Sequence, residues 1–300
     1  MGFHNRIYTV VTEDGYILRV DRLFRESSQK TPVIMGSGAS TNSMIYIELG
    51  NKSLAFFLAN EGYDVWLINW RGTRFSRGHV SLSPNNSTFW QTGFHDMAVY
   101  DLKTISNFVY AETGRRAIYI GFSMGSTIAL IYNIREQKSA ERTLKTIIHL
   151  APVATFRHSA PFIKYMSTIW PFLKILVRIL WNGEVIPYNK HTTFFCSPFP
   201  LNVQICDLII QPFAGINHDI DPLLYPVTNI QIRDSITTGT VDHYVQIIKT
   251  DRFEELSYGR LGNLKKYHQI NPPLYEFSEL TIPQIMFVGE KDILATVEVS

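Results

Sequence analysis

Residues 32–150 alternate between short apolar runs and helix-like segments, joined by short connections. The runs at 32–35, 64–70, 117–121 and 144–150 are nearly continuous, as expected of strands buried on both faces. Parallel strands need a crossover connection, and that connection is usually a helix. The alternation therefore predicts an α/β fold with a mostly parallel sheet and helices on both faces.

The pattern changes on either side of this region. An antiparallel hairpin is predicted before it, because 8–12 and 16–20 flank the turn signal Glu13-Asp14-Gly15. The alternation breaks at Ala151-Pro152, and no clear strand follows before about Pro273. A strand is predicted again at 282–288. These shifts predict one discontinuous domain: a core of residues 1–153 and 274–300, with a helical cap or lid insertion at 154–273.

Composition excludes several classes of protein. The chain has 300 residues, of which 45% are hydrophobic and 18% charged, so it can bury a large core and is not intrinsically disordered. A net charge of +2 does not indicate nucleic-acid binding, although Arg71, Arg74 and Arg77 form a basic stretch. The most apolar segment, 162–181, contains three cations and Pro171, which argues against a transmembrane helix. The first residues do not predict a signal peptide.

A candidate nucleophile lies in Gly121-Phe122-Ser123-Met124-Gly125, a G-x-S-x-G sequence. It stands between a predicted strand and a predicted helix, where such a turn lifts the serine hydroxyl above the sheet. The two glycines allow the turn to be tight. The alternative is an ordinary strand-to-helix turn built from small residues.

A serine nucleophile needs donors for the oxyanion of the tetrahedral intermediate. The expected donors are the backbone N–H of Met124, just after the nucleophile, and that of Ser37, in the loop after an earlier strand. The glycines around Ser37 could also suggest a dinucleotide-binding loop, as in a nicotinamide-dependent enzyme. That loop would need a third glycine and an acidic residue after the next strand, and both are missing. A plain flexible loop is the other alternative, and no cofactor is predicted.

The triad order on this architecture is serine, acid, histidine. Asp292 follows the last predicted strand and is the expected acid. Glu290 is the less favoured alternative for this role. The alternative without catalysis is that Asp292 is an ordinary solvated acid in a loop. All nine histidines precede Asp292. The base is therefore expected beyond Ser300, after a further helix and strand, so the chain is expected to lack its C-terminal strand and helix. His149, at the end of a strand, is the alternative base, although a core or surface role is favoured for it. The histidines show no metal-ligand spacing, and no metal is predicted.

Two further features depend on the compartment. Cys196 and Cys206 fit a local disulfide in a secreted chain, or two buried thiols in a cytosolic one. Asn51, Asn85 and Asn86 begin glycosylation sequons, which matter only if the chain enters a secretory route.

The sequence resembles the acid lipases, the gastric and lysosomal lipase family with its insect relatives. The resemblance covers nearly the whole chain and is densest before residue 155. It is carried by these stretches: 11–18, 53–56, 62–67, 71–73, 76–77, 82–84, 89–90, 100–102 and 150–154. It implies an α/β-hydrolase fold, with Ser123 as the nucleophile and Asp292 as the triad acid. It also implies that Cys196 and Cys206 form the family's cap disulfide, and that the insertion is its lid-bearing cap.

The chain departs from the family pattern at three places. Met35 replaces the histidine of the oxyanion motif, and Phe122 and Met124 replace a histidine and a glutamine beside the nucleophile. Backbone donors survive both of these changes. The third departure is the expected loss of the C-terminal histidine.

The expected function is a serine ester hydrolase that acts on neutral lipid esters, such as acylglycerols or sterol esters, in a secretory or lysosomal setting. The alternative is a non-catalytic lipid-binding relative, because no base is identified. The apolar stretch 162–181 could line an acyl pocket or touch a lipid surface, or could simply pack cap helices onto the core.

Overall fold

One mixed sheet organises the computed structural model, which describes residues 2–26, 30–157, 161–187, 231–290, 292 and 294. The strands of this sheet are β1 (His4–Val11), β2 (Tyr16–Phe24), β3 (Pro32–Gly36), β4 (Asp64–Ile68), β5 (Gly78–His79), β6 (Ala117–Phe122), β7 (Leu144–Leu150) and β10 (Gln284–Phe287). Their order is β1-β2-β4-β3-β6-β7-β10, with β5 paired to β2. Two short strands, β8 (Glu184–Val185) and β9 (Ile236–Thr237), form a separate pair.

The pairing confirms the predicted α/β architecture. β1 and β2 form the expected antiparallel hairpin, and β2 joins β4 antiparallel. From β4 to β10 every pairing is parallel. The chain passes from β3 to β4 on one side and then to β6 on the other side of β3. Strand order thus reverses at β3, and the carboxyl ends of β3 and β6 flank the kind of switch point where open α/β sheets bind ligands.

Helices cover both faces of the sheet. Their bounds are α1 (Leu54–Asn60), α2 (Phe94–Asp96), α3 (Lys103–Thr113), α4 (Met124–Arg135), α5 (Gln137–Thr143), α6 (Pro161–Trp181), α7 (Thr238–Thr250) and α8 (Gly259–Tyr267). The burial of β3 shows the two-sided cover. Ile34 packs into one apolar cluster, whereas its neighbours Val33 and Met35 pack into another. Alternate residues of a strand point to opposite faces, so both faces of this strand are dry.

One of the helix-like segments between the predicted strands is not a regular α-helix. It consists of α2, a π-helical segment (Met97–Leu102) and α3. Within the π-helical segment, Asp101 is fully buried and accepts two hydrogen bonds from the Arg71 guanidinium, at 2.6 and 2.8 Å. A single-sequence pattern of apolar spacing cannot show such a wider turn, because the turn accommodates a contact made 30 residues away.

The segment between β7 and β10 is helical in its described part, with α6, α7 and α8. The expectation of no strand there is wrong in one detail, because β8 and β9 form a short antiparallel pair. Cys196 and Cys206 lie outside the described residues. Among the described helices, none combines the length and apolarity needed to cross a bilayer.

Candidate active site

Ser123 occupies a strained turn between β6 and α4. Its backbone has φ 51° and ψ −113°, a conformation that costs a non-glycine residue about 1–3 kcal/mol. The N–H of Ser123 donates to the carbonyl of Leu150 on β7 at 2.9 Å, which anchors the turn to the sheet. The Ser123 side chain itself is half-buried. A strained, anchored and accessible serine at this position fits a nucleophile.

The glycines of the G-x-S-x-G sequence allow close backbone contacts. A Cβ on Gly121 would lie 2.7 Å from the backbone of Gly125, and a Cβ on Gly125 would lie 2.3 Å from the carbonyl oxygen of Gly36. Both distances are shorter than any real Cβ contact. The pair of glycines therefore lets α4 begin directly against β6 and against the loop after β3.

The loop after β3 lies beside the nucleophile. Gly36 pairs with Gly121 in the β3–β6 register, and a Cβ on Gly38 would lie 3.3 Å from the Cβ of Ser123. Ser37, between these glycines, is fully buried. The structure thus brings the predicted Ser37 loop next to Ser123.

Met124 is the first residue of α4 and is buried. The first N–H groups of a helix have no partner within that helix, and they carry the positive end of its dipole. The backbone N–H of Met124 therefore lies at the positive end of the α4 dipole.

Three buried aromatic side chains hold this loop and turn, and none of them is recognisable from the sequence as part of the site. The Tyr46 hydroxyl donates to Gly36 O at 2.8 Å, and the Trp70 indole N–H donates to Ser37 O at 2.9 Å. The Tyr119 hydroxyl donates to Gly125 O at 2.9 Å. In the sequence these residues resemble ordinary core aromatics, and only their polar atoms reveal the second role.

Asp292 lies in the loop after β10. Because β6, β7 and β10 run parallel, Asp292 follows β10 at the same edge of the sheet at which Ser123 follows β6. Its N–H donates to Gly289 O at 3.1 Å, and its Oδ1 accepts from the N–H of Leu294 at 2.8 Å. The alternative acid, Glu290, is exposed, whereas Asp292 is half-buried.

His149 does not fill the role of base. It is fully buried, and its Nε2 is hydrogen-bonded to Gln284 Oε1 at 2.6 Å. Gln284 in turn donates to Asn133 Oδ1 on α4 at 3.1 Å. Burial lowers the pKa of His149, while the Gln284 contact raises it. None of the described histidines hydrogen-bonds Ser123. That the base is a histidine therefore stays a prediction from the sequence.

The basic stretch has acidic partners. Arg71 is fully buried between Asp14 and Asp101. Arg74 is hydrogen-bonded to the Gln231 carbonyl and lies 3.6 Å from the Asp234 carboxylate, and Arg77 pairs with Glu184. Burial raises the pKa of Asp101 to about 6, although the attraction of Arg71 lowers it. These arginines tie loops to the core and do not form an open basic surface.

Comparisons with known proteins agree with this geometry. The family model of the alpha/beta hydrolase fold matches residues 31–167. Gastric triacylglycerol lipase of Rattus norvegicus is 34% identical over 98% of this chain and 77% of the lipase. Lipase member K of Homo sapiens is 30% identical over 98% of this chain and 76% of its own length. For Lipase 1 of Drosophila melanogaster the identity is 29%, over 98% of this chain and 66% of that protein.

Solved structures show the same fold at low identity. A hydrolase from Pseudomonas aeruginosa matches with a TM-score of 0.54 at 12% identity, over 98% of this chain and 84% of that chain. The level and extent of identity to the gastric lipases decide the family. The chain belongs to the acid lipase family, a family of carboxylic ester hydrolases on the α/β-hydrolase fold.

Proposed function

We propose that this chain hydrolyses carboxylic esters of neutral lipids, acylglycerols or sterol esters, with Ser123 as the nucleophile. The observation that carries the proposal is the strained backbone of Ser123, held between β6 and α4 with Gly38 directly beside it. Natural proteins keep such strain where the surrounding structure enforces it, most often at functional sites.

The geometry supports acyl transfer in two steps. The Ser123 oxygen attacks the ester carbonyl carbon, and the carbonyl π electrons move to its oxygen, which the N–H groups of Ser37 and Met124 stabilise. A base takes the hydroxyl proton. When the tetrahedral intermediate collapses, the bond between the carbonyl carbon and the alkoxide oxygen breaks and leaves an acyl-enzyme. The base gives its proton to the alkoxide, which departs as the alcohol. Water then attacks the acyl-enzyme in the same way and releases the fatty acid. Asp292 is proposed to orient the base, which we expect to be a histidine.

An exposed apolar face on α6 supports a lipid substrate. Phe172 and Ile179 are 74% and 72% exposed, and the same helix exposes further large apolar side chains: Tyr165, Ile175, Leu176, Leu180 and Trp181. Two of the relatives are named gastric triacylglycerol lipase, and this name gives triacylglycerols as their substrate. We propose that α6 belongs to a cap over residues 154–273 whose apolar side chains meet acyl chains or a lipid surface.

A secreted or lysosomal location is part of the same proposal. It is supported by the similarity to gastric lipases, and by the exposure of Asn51, Asn85 and Asn86, the sequon asparagines. In that compartment Cys196 and Cys206 would form the cap disulfide. Peptide mapping without reduction should find these two cysteines in one cross-linked peptide pair.

A second candidate is a lipid-binding relative without catalysis. It is favoured by one observation, that no described histidine hydrogen-bonds Ser123. Loss of one triad member leaves only about 10³- to 10⁴-fold acceleration over water, although a cap could still hold acyl chains.

The test is covalent labelling of Ser123 with an alkyl phosphonate ester, followed by peptide mapping. The proposal expects labelling at Ser123, and hydrolysis of p-nitrophenyl butyrate and of emulsified triacylglycerol. Ser123→Ala should remove both, with a loss of about 10⁴- to 10⁶-fold in turnover. A folded chain that binds fatty-acid probes but neither reacts with the phosphonate nor exceeds Ser123→Ala in hydrolysis would establish the binding candidate instead.

A further inference from the structure

The hydroxyl of Tyr46 holds the loop after β3. Tyr46 ends a single 3₁₀ turn (Ser43–Tyr46) and is buried. Its hydroxyl donates to Gly36 O at 2.8 Å. One side-chain atom therefore contacts the backbone directly before Ser37.

The bond to Gly36 O fixes more than a carbonyl group. A peptide unit is planar and trans, so the C=O of Gly36 and the N–H of Ser37 point in opposite directions. The Gly36 carbonyl is directed toward the buried Tyr46 and lies close to Gly125. The Ser37 N–H therefore points to the opposite side of this peptide unit.

The neighbouring peptide units are held by different donors. Trp70 holds the carbonyl of Ser37, which directs the N–H of Gly38. Tyr119 holds the carbonyl of Gly125 at the start of α4. Among the described side chains, it is Tyr46 that donates to the carbonyl of the peptide containing the Ser37 N–H.

We infer that Tyr46 is a positioning residue for the oxyanion donor at Ser37, so that its hydroxyl acts on the rate of ester cleavage without touching the substrate. The inference rests on the proposed esterase function. A backbone donor contributes fully only when it is held toward the place where charge develops in the transition state. Without the hydroxyl, the Gly36–Ser37 peptide is free to tilt, and the carbonyl is left buried without this partner.

The test compares Tyr46→Phe with Tyr132→Phe in the full chain. Tyr132 is the matched control because it is also buried, and its hydroxyl contacts three side chains away from the loop: Ser106, Ser139 and Thr143. Both variants keep the ring and lose a bonded hydroxyl. Circular dichroism and thermal unfolding would confirm that both are folded, and rates would be normalised to the folded fraction.

Two rates are measured: hydrolysis of p-nitrophenyl butyrate, and labelling of Ser123 by the phosphonate ester. For Tyr46→Phe we expect kcat to fall about 10- to 100-fold with KM within twofold, because the donor acts mainly on the transition state. The labelling rate should fall in parallel. Tyr132→Phe should keep both rates within about twofold of the wild type.

Equal rates for the two variants, or a change in KM alone, would overturn the role of Tyr46. Failure of the proposed function has a different signature: the folded wild-type chain would show neither hydrolysis above Ser123→Ala nor labelling, and the inference about Tyr46 would fall with it.

Discussion

The two halves of the candidate site are built in different ways. The nucleophile half stands on β3 and β6, in the middle of the sheet, and its backbone segments touch each other directly at Gly36 and Gly125. The acid half stands on β10, the last strand of the described part of the sheet, where Ile285, Met286 and Phe287 are exposed among the described residues. The first half is fixed by main-chain contact inside a dry core. The second half depends on a loop after an exposed strand.

The difference predicts how each half responds to change. A close-packed interior has no room for added atoms, so the nucleophile half should be intolerant of even a methyl group. The loop of the acid half should tolerate changes of size, and should be sensitive only to the charge and hydrogen bonding of Asp292 itself.

Gly125→Ala should have the largest effect. The new Cβ would lie 2.3 Å from Gly36 O, so either α4 or the loop after β3 must move. We expect hydrolysis to fall to the Ser123→Ala background, and the free energy of unfolding to fall by about 3 kcal/mol. Urea unfolding and ester hydrolysis measure the two effects. Gly50→Ala, where a Cβ meets open space, should cost about 1 kcal/mol through its positive φ and leave hydrolysis unchanged. If Gly125→Ala behaves like Gly50→Ala, the nucleophile half is not rigid.

Asp292→Asn should have the next largest effect. An amide keeps the size of the side chain but cannot stabilise a protonated base, so we expect kcat to fall about 10³- to 10⁴-fold with little loss of stability. Glu290→Gln is the control, since Glu290 is exposed, and it should stay within about twofold. Equal losses in the two variants, or a loss only in Glu290→Gln, would remove Asp292 from the triad.

Lowering the pH should reduce the free energy of unfolding through a buried histidine. His243 on α7 stacks on Phe94 at 3.9 Å between ring centroids, and burial lowers its pKa to about 3, although a hydrogen bond with the Glu254 carbonyl opposes the shift. Since the unfolded chain binds this proton near pH 6.5, the stabilising contribution is complete above that pH and is lost as pH falls toward 3.

The wild-type free energy of unfolding should therefore gain a slope of at most about 1.4 kcal/mol per pH unit from His243 within that window. His243→Gln should lose this part of the slope, because glutamine does not titrate. Chemical unfolding at several pH values between 3 and 7 measures it. Parallel curves for wild type and variant would show that His243 does not contribute.

The sequence predicted the parts of the fold that depend on local patterns. The buried strands are readable because parallel strands covered on both faces are apolar throughout, and Ser123 is readable because its turn requires glycines at fixed offsets. The π-helical segment, β8 with β9, and the bond between Tyr46 and Gly36 were not predicted. Each depends on partners distant in the chain, or on the direction of one polar atom, and neither leaves a periodic trace. For the same reason His149 could be considered as a base until its contact with Gln284, 135 residues away, was visible.

The buried Arg71 has a consequence for how this chain assembles. Its charge is neutralised by Asp14, 57 residues earlier, and by Asp101, 30 residues later, and each carboxylate belongs to a different supersecondary unit. A folding intermediate with the hairpin docked but the α2–α3 region unformed would bury the Arg71 guanidinium with only one of its two carboxylate partners. Such intermediates are high in free energy, because a charge buried without its partner loses most of its hydration free energy. The N-terminal hairpin, the loop after β4 and the α2–α3 region are thus coupled, and they should open and close as a single cooperative unit.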